Sequence, residues 1–305
     1  MPIVNTSVPI TSESCDRMIR EIVRTYPFCR SELLASTAFQ RPIRTLVIGT
    51  GPRKVIYSAS HHANEWITTL VLLKFAEELA QAIQEGGQIG GQDAKRIADK
   101  ATIYMVPMVD PDGVDLVTGA IPRGSVQYEQ ARTLAEDFPA IPFPDGWKAN
   151  LLGVDLNLQY PAGWLTAREI KFRQGYDRPA PRDYVGRAPL NQLETKALAG
   201  YTEYIEPALV LAYHAQGKEI YWQFQDYEVP GARELGEQME AASGYTLADT
   251  PYASSFAGYK DWFIQNFRRP GYTVEVGSGV NPLPLSQFDE IYRDNVPILT
   301  IAALG

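Results

Sequence analysis

Short apolar strands alternate with helices along most of the chain, and no other feature narrows the possible folds as much. Strands are predicted at residues 44–48, 54–58, 101–106, 208–213, 219–223 and 272–276. Helices are predicted at residues 12–25, 66–83, 191–204, 231–242 and 295–303. Strands that alternate with helices usually form a mostly parallel sheet with helices on both faces. We therefore predict an α/β fold.

The length and composition fit one globular domain. At 305 residues an α/β chain commonly closes around a single core, so residues 1–305 are predicted to form one domain with residues 1–14 as an N-terminal arm. Hydrophobic residues at 45% and charged residues at 21% are ordinary for a globular protein. No segment approaches the roughly 18 consecutive apolar residues of a membrane span. A membrane partner is therefore not expected.

Charge, cysteine content and the N-terminal sequence limit the partners and the compartment. The 28 basic and 36 acidic residues give a net charge of −8 without a basic run, which argues against nucleic acid as a partner. Cys15 and Cys29 are too few for a disulfide scaffold and are predicted to be free thiols. Residues 1–11 lack the basic flank and apolar stretch of a secretion signal, so the cytoplasm is the expected compartment.

Two long stretches lack the periodic spacing of apolar residues that is typical of a helix or a strand. Residues 115–150 are rich in proline, glycine and aromatic residues, and residues 160–188 are similarly irregular. A structureless segment of this length in a compact domain is usually functional. We predict that these stretches form the walls of a cleft.

The chain has only three histidines, and two of them fall where metal ligands are expected. His62 and Glu65 form an H-x-x-E pair directly after one predicted strand, and His214 ends another. The carboxyl ends of strands commonly hold ligands, and a catalytic zinc takes three protein ligands and leaves one position for water. The pair alone is weak evidence, because it arises often by chance and most histidines are ordinary hydrogen-bonded residues. His61 is assigned a role either in packing or in supporting a metal ligand.

These candidate ligands belong to a series of motifs that resembles, in order and spacing, the M14 zinc carboxypeptidase family. The motifs are His62-Ala63-Asn64-Glu65-Trp66, Asp110-Pro111-Asp112-Gly113, Gly153-Val154-Asp155-Leu156-Asn157, Tyr213-His214 and Thr273-Val274-Glu275. The likeness runs from about Cys15 to the C-terminus. It implies a zinc metallopeptidase with one zinc ion per chain, held by His62, Glu65 and His214. It also implies a mixed, mostly parallel eight-stranded sheet between helices.

The resemblance also implies catalytic roles. Glu275 would be the general base that takes a proton from metal-bound water and returns it to the leaving amine. Asp155 would orient the ring of His62. Lys148 stands where the family has an arginine that stabilises the oxyanion, and lysine supplies the charge without the planar fork. The alternatives are a salt-bridged edge residue at Glu275, a turn cap at Asp155 and a solvated side chain at Lys148.

The sequence departs from the family where the substrate's C-terminal carboxylate is bound. The family has an Asn-Arg pair, whereas Asn157 is followed here by Leu158, so the bidentate clamp is lost. Asn64 occupies the position of another substrate-contacting arginine. The substrate-capping tyrosine would align near Ile264, with Tyr259 close by as a replacement. Asn64, Asn157, Leu158 and Tyr259 are predicted to contact the substrate, which should not be that of a general C-terminal exopeptidase.

The segments Gly153-Val154-Asp155-Leu156-Asn157-Leu158-Gln159-Tyr160-Pro161 and His214-Ala215-Gln216-Gly217 look like one branch of the family. That branch hydrolyses γ-D-glutamyl-diaminopimelate bonds in bacterial peptidoglycan peptides and often carries LysM wall-binding modules. This sequence contains none, so muropeptides released into the cytoplasm, during turnover or recycling, are the expected substrate. Close kinship also implies a cis peptide bond at Ala215–Gln216.

Two alternative functions remain open. One is a carboxypeptidase that removes C-terminal residues from ordinary peptides through a relocated carboxylate anchor such as Arg123, Arg182 or Arg187. The other is a catalytically inactive module that binds cell-wall peptides. Retention of Glu275 with all three ligand types argues against a mere binding module, which needs no general base.

Overall fold

The computed structural model describes residues 2–305 and contains alternating helices and strands in that range. The helices are α1 (Ser12–Thr25), α2 (Ile67–Glu85), α3 (Ala94–Lys100), α4 (Pro111–Val117), α5 (Val126–Glu136), α6 (Trp164–Arg173), α7 (Leu193–Ile205), α8 (Ala232–Ser243), α9 (Tyr259–Phe267) and α10 (Phe288–Leu304). The strands are β1 (Leu33–Ser36), β2 (Pro42–Arg44), β3 (Leu46–Ile48), β4 (Arg53–Ala59), β5 (Gln88–Ile89), β6 (Gln92–Asp93), β7 (Ala101–Val106), β8 (Leu209–Ala215), β9 (Glu219–Tyr221), β10 (Thr246–Ala248) and β11 (Gly271–Val276). The predicted α/β class is confirmed.

The central sheet has seven strands in the order β10-β9-β11-β8-β4-β7-β3, not the eight expected. β3 pairs antiparallel with β7, and β9 pairs antiparallel with β11, whereas the other four pairings are parallel. The predicted strand at 44–48 divides at Thr45, because β2 turns away to pair with β1 while the fully buried β3 joins the central sheet. The sheet is therefore mixed and mostly parallel, as predicted, with one strand fewer.

Both faces of the sheet are covered by apolar side chains. Along β4, Val55 and Tyr57 pack into one hydrophobic cluster with α1, α2, α3 and α10, whereas Ile56 packs into another with α6, α7 and α9. Leu211 and Ala212 on β8 divide between the same two clusters. Successive side chains of a strand point to opposite faces, so strands buried on both sides are apolar throughout.

The first helix matches its predicted bounds because its signals are local. The Thr11 hydroxyl accepts a hydrogen bond from the Ser14 amide at 3.2 Å, and the Ser14 hydroxyl accepts one from the Thr11 amide at 2.9 Å. This reciprocal cap satisfies two otherwise unpaired donors at the helix start. Met18, Ile19 and Ile22 then bury one face.

The two irregular stretches contain helices that the sequence did not indicate. α5 lies within residues 115–150 and α6 within residues 160–188. α5 buries only Ala131 and Ala135, and its first residue, Val126, is 74% exposed. A surface helix that buries two alanines has no apolar stripe of the usual width, so the sequence shows no clear helical periodicity there.

The arm before α1 is fixed to the body of the domain. The Val4 amide donates to Glu77 Oε2 on α2 at 3.1 Å, and the Val4 side chain is buried. Cys15 and Cys29 are buried free thiols, as predicted. Across residues 2–305 no helix is both long and apolar enough to span a bilayer.

Candidate metal centre and active site

The three candidate ligands lie at the carboxyl ends of neighbouring parallel strands. Beyond β4 the chain turns at Ser60, whose φ of 49° is left-handed, and reaches His62. Glu65 follows on one 3₁₀ turn, Ala63–Glu65. His214 is the penultimate residue of β8, which pairs in parallel with β4. Because parallel strands end at the same edge of a sheet, the three side chains converge.

Their donor atoms are spaced as zinc ligands would be. His62 Nδ1 lies 3.0 Å from Glu65 Oε1, and His214 Nδ1 lies 2.9 Å from Glu65 Oε2. The two Nδ1 atoms are 3.2 Å apart. Ligands about 2.0–2.1 Å from a tetrahedral zinc are separated by roughly 3.3 Å, so these distances fit that ion. The predicted set forms one cluster that is able to bind a metal.

Lys148 reaches into this cluster. Its Nζ lies 2.8 Å from Glu65 Oε1, and the glutamate side chain is only 1% exposed. Burial disfavours the ionised carboxyl, but the charges of Lys148 and the two histidines outweigh burial and hold the pKa of Glu65 well below its usual range. Lys148 is therefore part of a buried ion pair, and the solvated alternative for it is wrong.

Asp155 makes the contact expected of a residue that orients His62. Its Oδ1 lies 3.1 Å from His62 Nε2, the ring nitrogen that faces away from the metal cluster. Its Oδ2 accepts the Asp183 amide at 3.1 Å. Burial opposes ionisation, but the neighbouring His62 and these hydrogen bonds lower the pKa of Asp155. A carboxylate in this position fixes the tautomer and the direction of the ring.

We expect zinc binding by the metal-free protein to strengthen with pH up to about 9. Burial lowers the pKa of His62, but Glu65 and Asp155 raise it more, to about 9. Zinc binds the deprotonated imidazole, so each pH unit below that value should weaken affinity about tenfold. Titration against a chromophoric chelator between pH 6 and 9 measures this slope.

The variant Glu275→Gln is the suitable background for that titration. Burial, reinforced by the charge of Glu65, raises the pKa of Glu275 to about 8, so this carboxyl would titrate in the same interval. Removing it isolates His62. An affinity that does not change between pH 6 and 9 would contradict the expectation.

Glu275 faces the cluster from the next strand. It lies on β11 as the direct register partner of His214 on β8, and its partly exposed side chain lines the cleft above the metal cluster. The salt-bridged edge alternative does not fit, because β11 lies between β9 and β8 inside the sheet. Adjacent parallel strands thus present a histidine and a carboxyl group side by side.

The cleft has a volume of about 220 Å³. Asn157 and Leu158, which are predicted to contact the substrate, both line it. Of the two irregular stretches, residues 160–188 contribute Lys171, Arg182 and Asp183, whereas residues 115–150 contribute only Lys148. The expectation that both stretches wall the cleft is therefore correct mainly for the second.

Two predicted substrate contacts are wrong. Asn64 is buried, its amide donates to the Asp145 carbonyl at 3.1 Å, and it does not line the cleft. Tyr259 is also buried, with its hydroxyl 2.7 Å from the Thr202 hydroxyl. Both side chains are buried outside the cleft, so neither contacts a ligand bound there.

The position near Ile264, where the family has its substrate-capping tyrosine, does not face the cleft, because Ile264 is buried within α9. By contrast, Thr250, Pro251 and Ser254 line the cleft. The sequence did not indicate this loop as part of the site, because the Ala253-Ser254-Ser255 segment carries no periodic signal.

His61 has the packing role assigned to it. Its ring stacks against His214 and Tyr259 with centroid separations of 5.6 Å in both cases. Burial and the neighbouring histidines hold its pKa well below the usual value, so the ring is neutral. By this stacking contact His61 supports the ring of His214, one of the three candidate ligands.

The peptide bond between Ala215 and Gln216 is trans, so the expected cis bond is wrong. The Ala215 carbonyl accepts Asn281 Nδ2 at 2.7 Å, and the Gly217 amide donates to the Gly277 carbonyl at 2.9 Å. The trans backbone therefore has hydrogen-bond partners on both sides of this bond. A non-proline cis bond would cost about 3–4 kcal/mol without an evident gain.

Comparison with known proteins agrees with this geometry. Residues 15–298 match the family described as zinc carboxypeptidase, peptidase M14. The chain belongs to this zinc metallopeptidase family, whose members are hydrolases.

Three similar proteins illustrate the relationship. Gamma-D-glutamyl-L-diamino acid endopeptidase 1 of Lysinibacillus sphaericus is 41% identical over 280 residues, which are 92% of this chain and 68% of that protein. Uncharacterized protein YqgT of Bacillus subtilis is 35% identical over 93% of this chain and 74% of its own length. The crystal structure of thrombin activatable fibrinolysis inhibitor superposes with a TM-score of 0.76 at 16% identity, over 99% of this chain and 76% of that one. The last likeness concerns the fold alone.

Proposed function

We propose that this metallopeptidase hydrolyses the γ-D-glutamyl-diaminopimelate amide bond of bacterial peptidoglycan peptides. The observation that carries the proposal is the 41% identity, over 92% of the chain, with a relative named for cleaving γ-D-glutamyl-L-diamino acid bonds. The small cleft of about 220 Å³ supports a short peptide as substrate.

In the proposed mechanism, His62, Glu65 and His214 would hold one zinc ion. When bound there, zinc would supply a Lewis acid that lowers the pKa of a water molecule. Glu275 takes a proton from the attacking water and returns it to the amine when the amide C–N bond breaks. The products are a carboxylic acid and an amine.

The environment of Glu275 suits a group that both accepts and donates a proton. Without metal, its pKa of about 8 reflects burial and the charge of Glu65. A neighbouring dication favours the carboxylate form, so binding of zinc should lower the pKa of Glu275 from about 8 toward the neutral pH range. A general base is most effective when its pKa is near the working pH.

Lys148 is proposed to stabilise negative charge on the scissile carbonyl oxygen. Its Nζ is already beside the cluster, 2.8 Å from Glu65 Oε1, and it lines the cleft. Its backbone is fixed, because its carbonyl accepts the Ala63 amide at 3.1 Å. A preorganised cation in a partly dry site is effective for this purpose.

Leu158 supports a substrate other than an ordinary C-terminal residue. Its buried side chain presents apolar surface to the cleft at the position where a carboxylate clamp would need a cation. Placing an unpaired carboxylate against that surface would be costly. A diamino acid carries a further charged end, which can be bound elsewhere in the cleft.

We expect the purified zinc enzyme to cleave L-Ala-γ-D-Glu-meso-diaminopimelate at least about tenfold faster than an ordinary peptide with a free C-terminus. Incubation with defined muropeptides and plain peptides, followed by mass spectrometry with and without chelator, measures this preference. Faster release of common C-terminal residues from plain peptides would favour the carboxypeptidase alternative. Absence of any hydrolysis by zinc-loaded protein would favour the binding module.

Action on released muropeptides in the cytoplasm is the proposed setting. Fractionation of cells followed by detection of the protein tests the compartment.

A further inference from the structure

Arg182 borders the cleft with most of its hydrogen-bond donors free. Its side chain is 40% exposed, and its Nε donates to Asp183 Oδ2 at 2.5 Å. Within residues 2–305 no other protein group accepts from its guanidinium. The terminal nitrogens are therefore available to a ligand in the cleft.

The backbone around Arg182 is fixed on both sides by residues of the active site. The Pro181 carbonyl accepts the amides of Lys148 and Ala149 at 2.8 and 2.9 Å. On the other side, the Asp183 amide donates to Asp155 Oδ2 at 3.1 Å. The backbone on either side of Arg182 is therefore fixed relative to Lys148 and Asp155, the two residues that contact the candidate metal ligands.

Asp183 turns the chain at the wall of the cleft. Its φ of 65° is left-handed, a conformation that aspartate adopts more readily than most residues other than glycine. In this conformation its carboxylate accepts Lys171 Nζ at 2.5 Å through Oδ1 and Arg182 Nε through Oδ2. The side chain of Asp183 therefore positions both cations.

The charge at this wall of the cleft is unbalanced. Lys171 and Arg182 share the single carboxylate of Asp183, so the two cations have one ion-pair partner between them. Lys260, another cation of the cleft, is instead paired with Asp261 at 2.6 Å and is almost fully buried. A partly buried guanidinium that shares its carboxylate partner and keeps its terminal nitrogens free can bind an anion.

We propose that Arg182 is a specificity-determining residue that binds a carboxylate of the substrate in a bidentate manner. The inference rests on the proposed function, because peptides with a γ-D-glutamyl-diaminopimelate bond carry such groups on both sides of the bond. The glutamyl residue has a free α-carboxylate on the acyl side. The diamino acid has two carboxylates on the amine side. Arg182 replaces in function the cation that is absent at Leu158.

Kinetic comparison of Arg182→Gln, Arg182→Lys and wild-type enzyme tests the proposal. With L-Ala-γ-D-Glu-meso-diaminopimelate, Arg182→Gln should lower kcat/KM about 10- to 100-fold, mostly through KM. Arg182→Lys should recover only part of the loss, because lysine cannot form the bidentate pair. Arg187→Gln is the matched control, since Arg187 is exposed and does not line the cleft.

Modified substrates identify the carboxylate that Arg182 binds. The first has the glutamyl α-carboxylate converted to an amide, the second has L-lysine in place of diaminopimelate, and the third has a carboxamide at the α-carboxylate of the diamino acid. The penalty of Arg182→Gln should disappear with the one substrate that lacks the contacted carboxylate. Disappearance with any one of them supports the proposal and assigns the group.

An equal penalty on every substrate, or no penalty on any, would overturn the proposal. Zinc content and thermal unfolding of each variant identify a loss that arises from folding. Failure of the proposed function is distinguishable, because it would appear in the wild-type enzyme as poor cleavage of all the muropeptides. Failure of this inference alone would leave wild-type cleavage intact and Arg182→Gln equally active.

Discussion

Replacing Glu275 with glutamine is expected to lower kcat on a γ-D-glutamyl-diaminopimelate peptide by about 10²- to 10⁴-fold. The amide has nearly the same shape as the carboxylate but cannot accept a proton from water. Zinc content should not change, because Glu275 is not one of the three clustered ligands. Steady-state kinetics combined with metal analysis of the same preparation measures both quantities.

Glu219→Gln provides a matched control for that substitution. Glu219 lies on β9 as the register partner of Glu275, so the substitution makes the same chemical change on the neighbouring strand. Glu219 itself does not line the cleft, although its carboxylate accepts the hydroxyl of Tyr221, which does. This variant should therefore change kcat by no more than a few-fold, far less than Glu275→Gln. Turnover by Glu275→Gln within a few-fold of wild type would show that another group carries the proton.

Substitution of His214 by alanine should remove both zinc and activity. His214 is buried and would supply one of only three protein ligands. Since metal catalysis contributes several kcal/mol, kcat/KM should fall by about 10³-fold or more. Equilibrium dialysis against zinc, followed by metal analysis and kinetics, gives the result.

His61→Phe is the corresponding control for His214→Ala. The phenylalanine ring can keep the stacking contact that His61 makes with His214, and no zinc donor atom is lost. Zinc should bind with wild-type stoichiometry. If His214→Ala retained one tightly bound zinc per chain, the assignment of His214 as a ligand would be refuted.

Features determined by nearby residues could be predicted from the sequence. α1 has a reciprocal cap at Thr11 and an apolar stripe, and its bounds were predicted without error. β7 is a continuous apolar run that ends before Pro107, and its bounds were also predicted. α5 and α6 were not predicted, because each buries only two side chains, so the helical period is weak.

The residues of the candidate site likewise fall into two groups, those that the sequence could predict and those that it could not. His62, Glu65 and His214 could be proposed because each follows or ends a recognisable strand within a spaced motif. The position of Asp155 beside His62 also follows from such a motif. Thr250 and Asp183 line the cleft but could not be placed, since they lie on loops whose paths depend on contacts with distant segments, such as the bond from the Asp183 amide to Asp155.

The pairing of Glu275 with His214 has a practical consequence for enzyme engineering. These residues are direct neighbours on β11 and β8, where the strands are hydrogen-bonded from Gly271 to Val276, so their separation is built into the backbone ladder. The rims of the cleft come instead from loops, including Thr250 and Arg182. A library that randomises only the loops should therefore yield altered peptide selectivity in many folded, zinc-loaded variants. Randomising β8 or β11 should yield mostly insoluble protein.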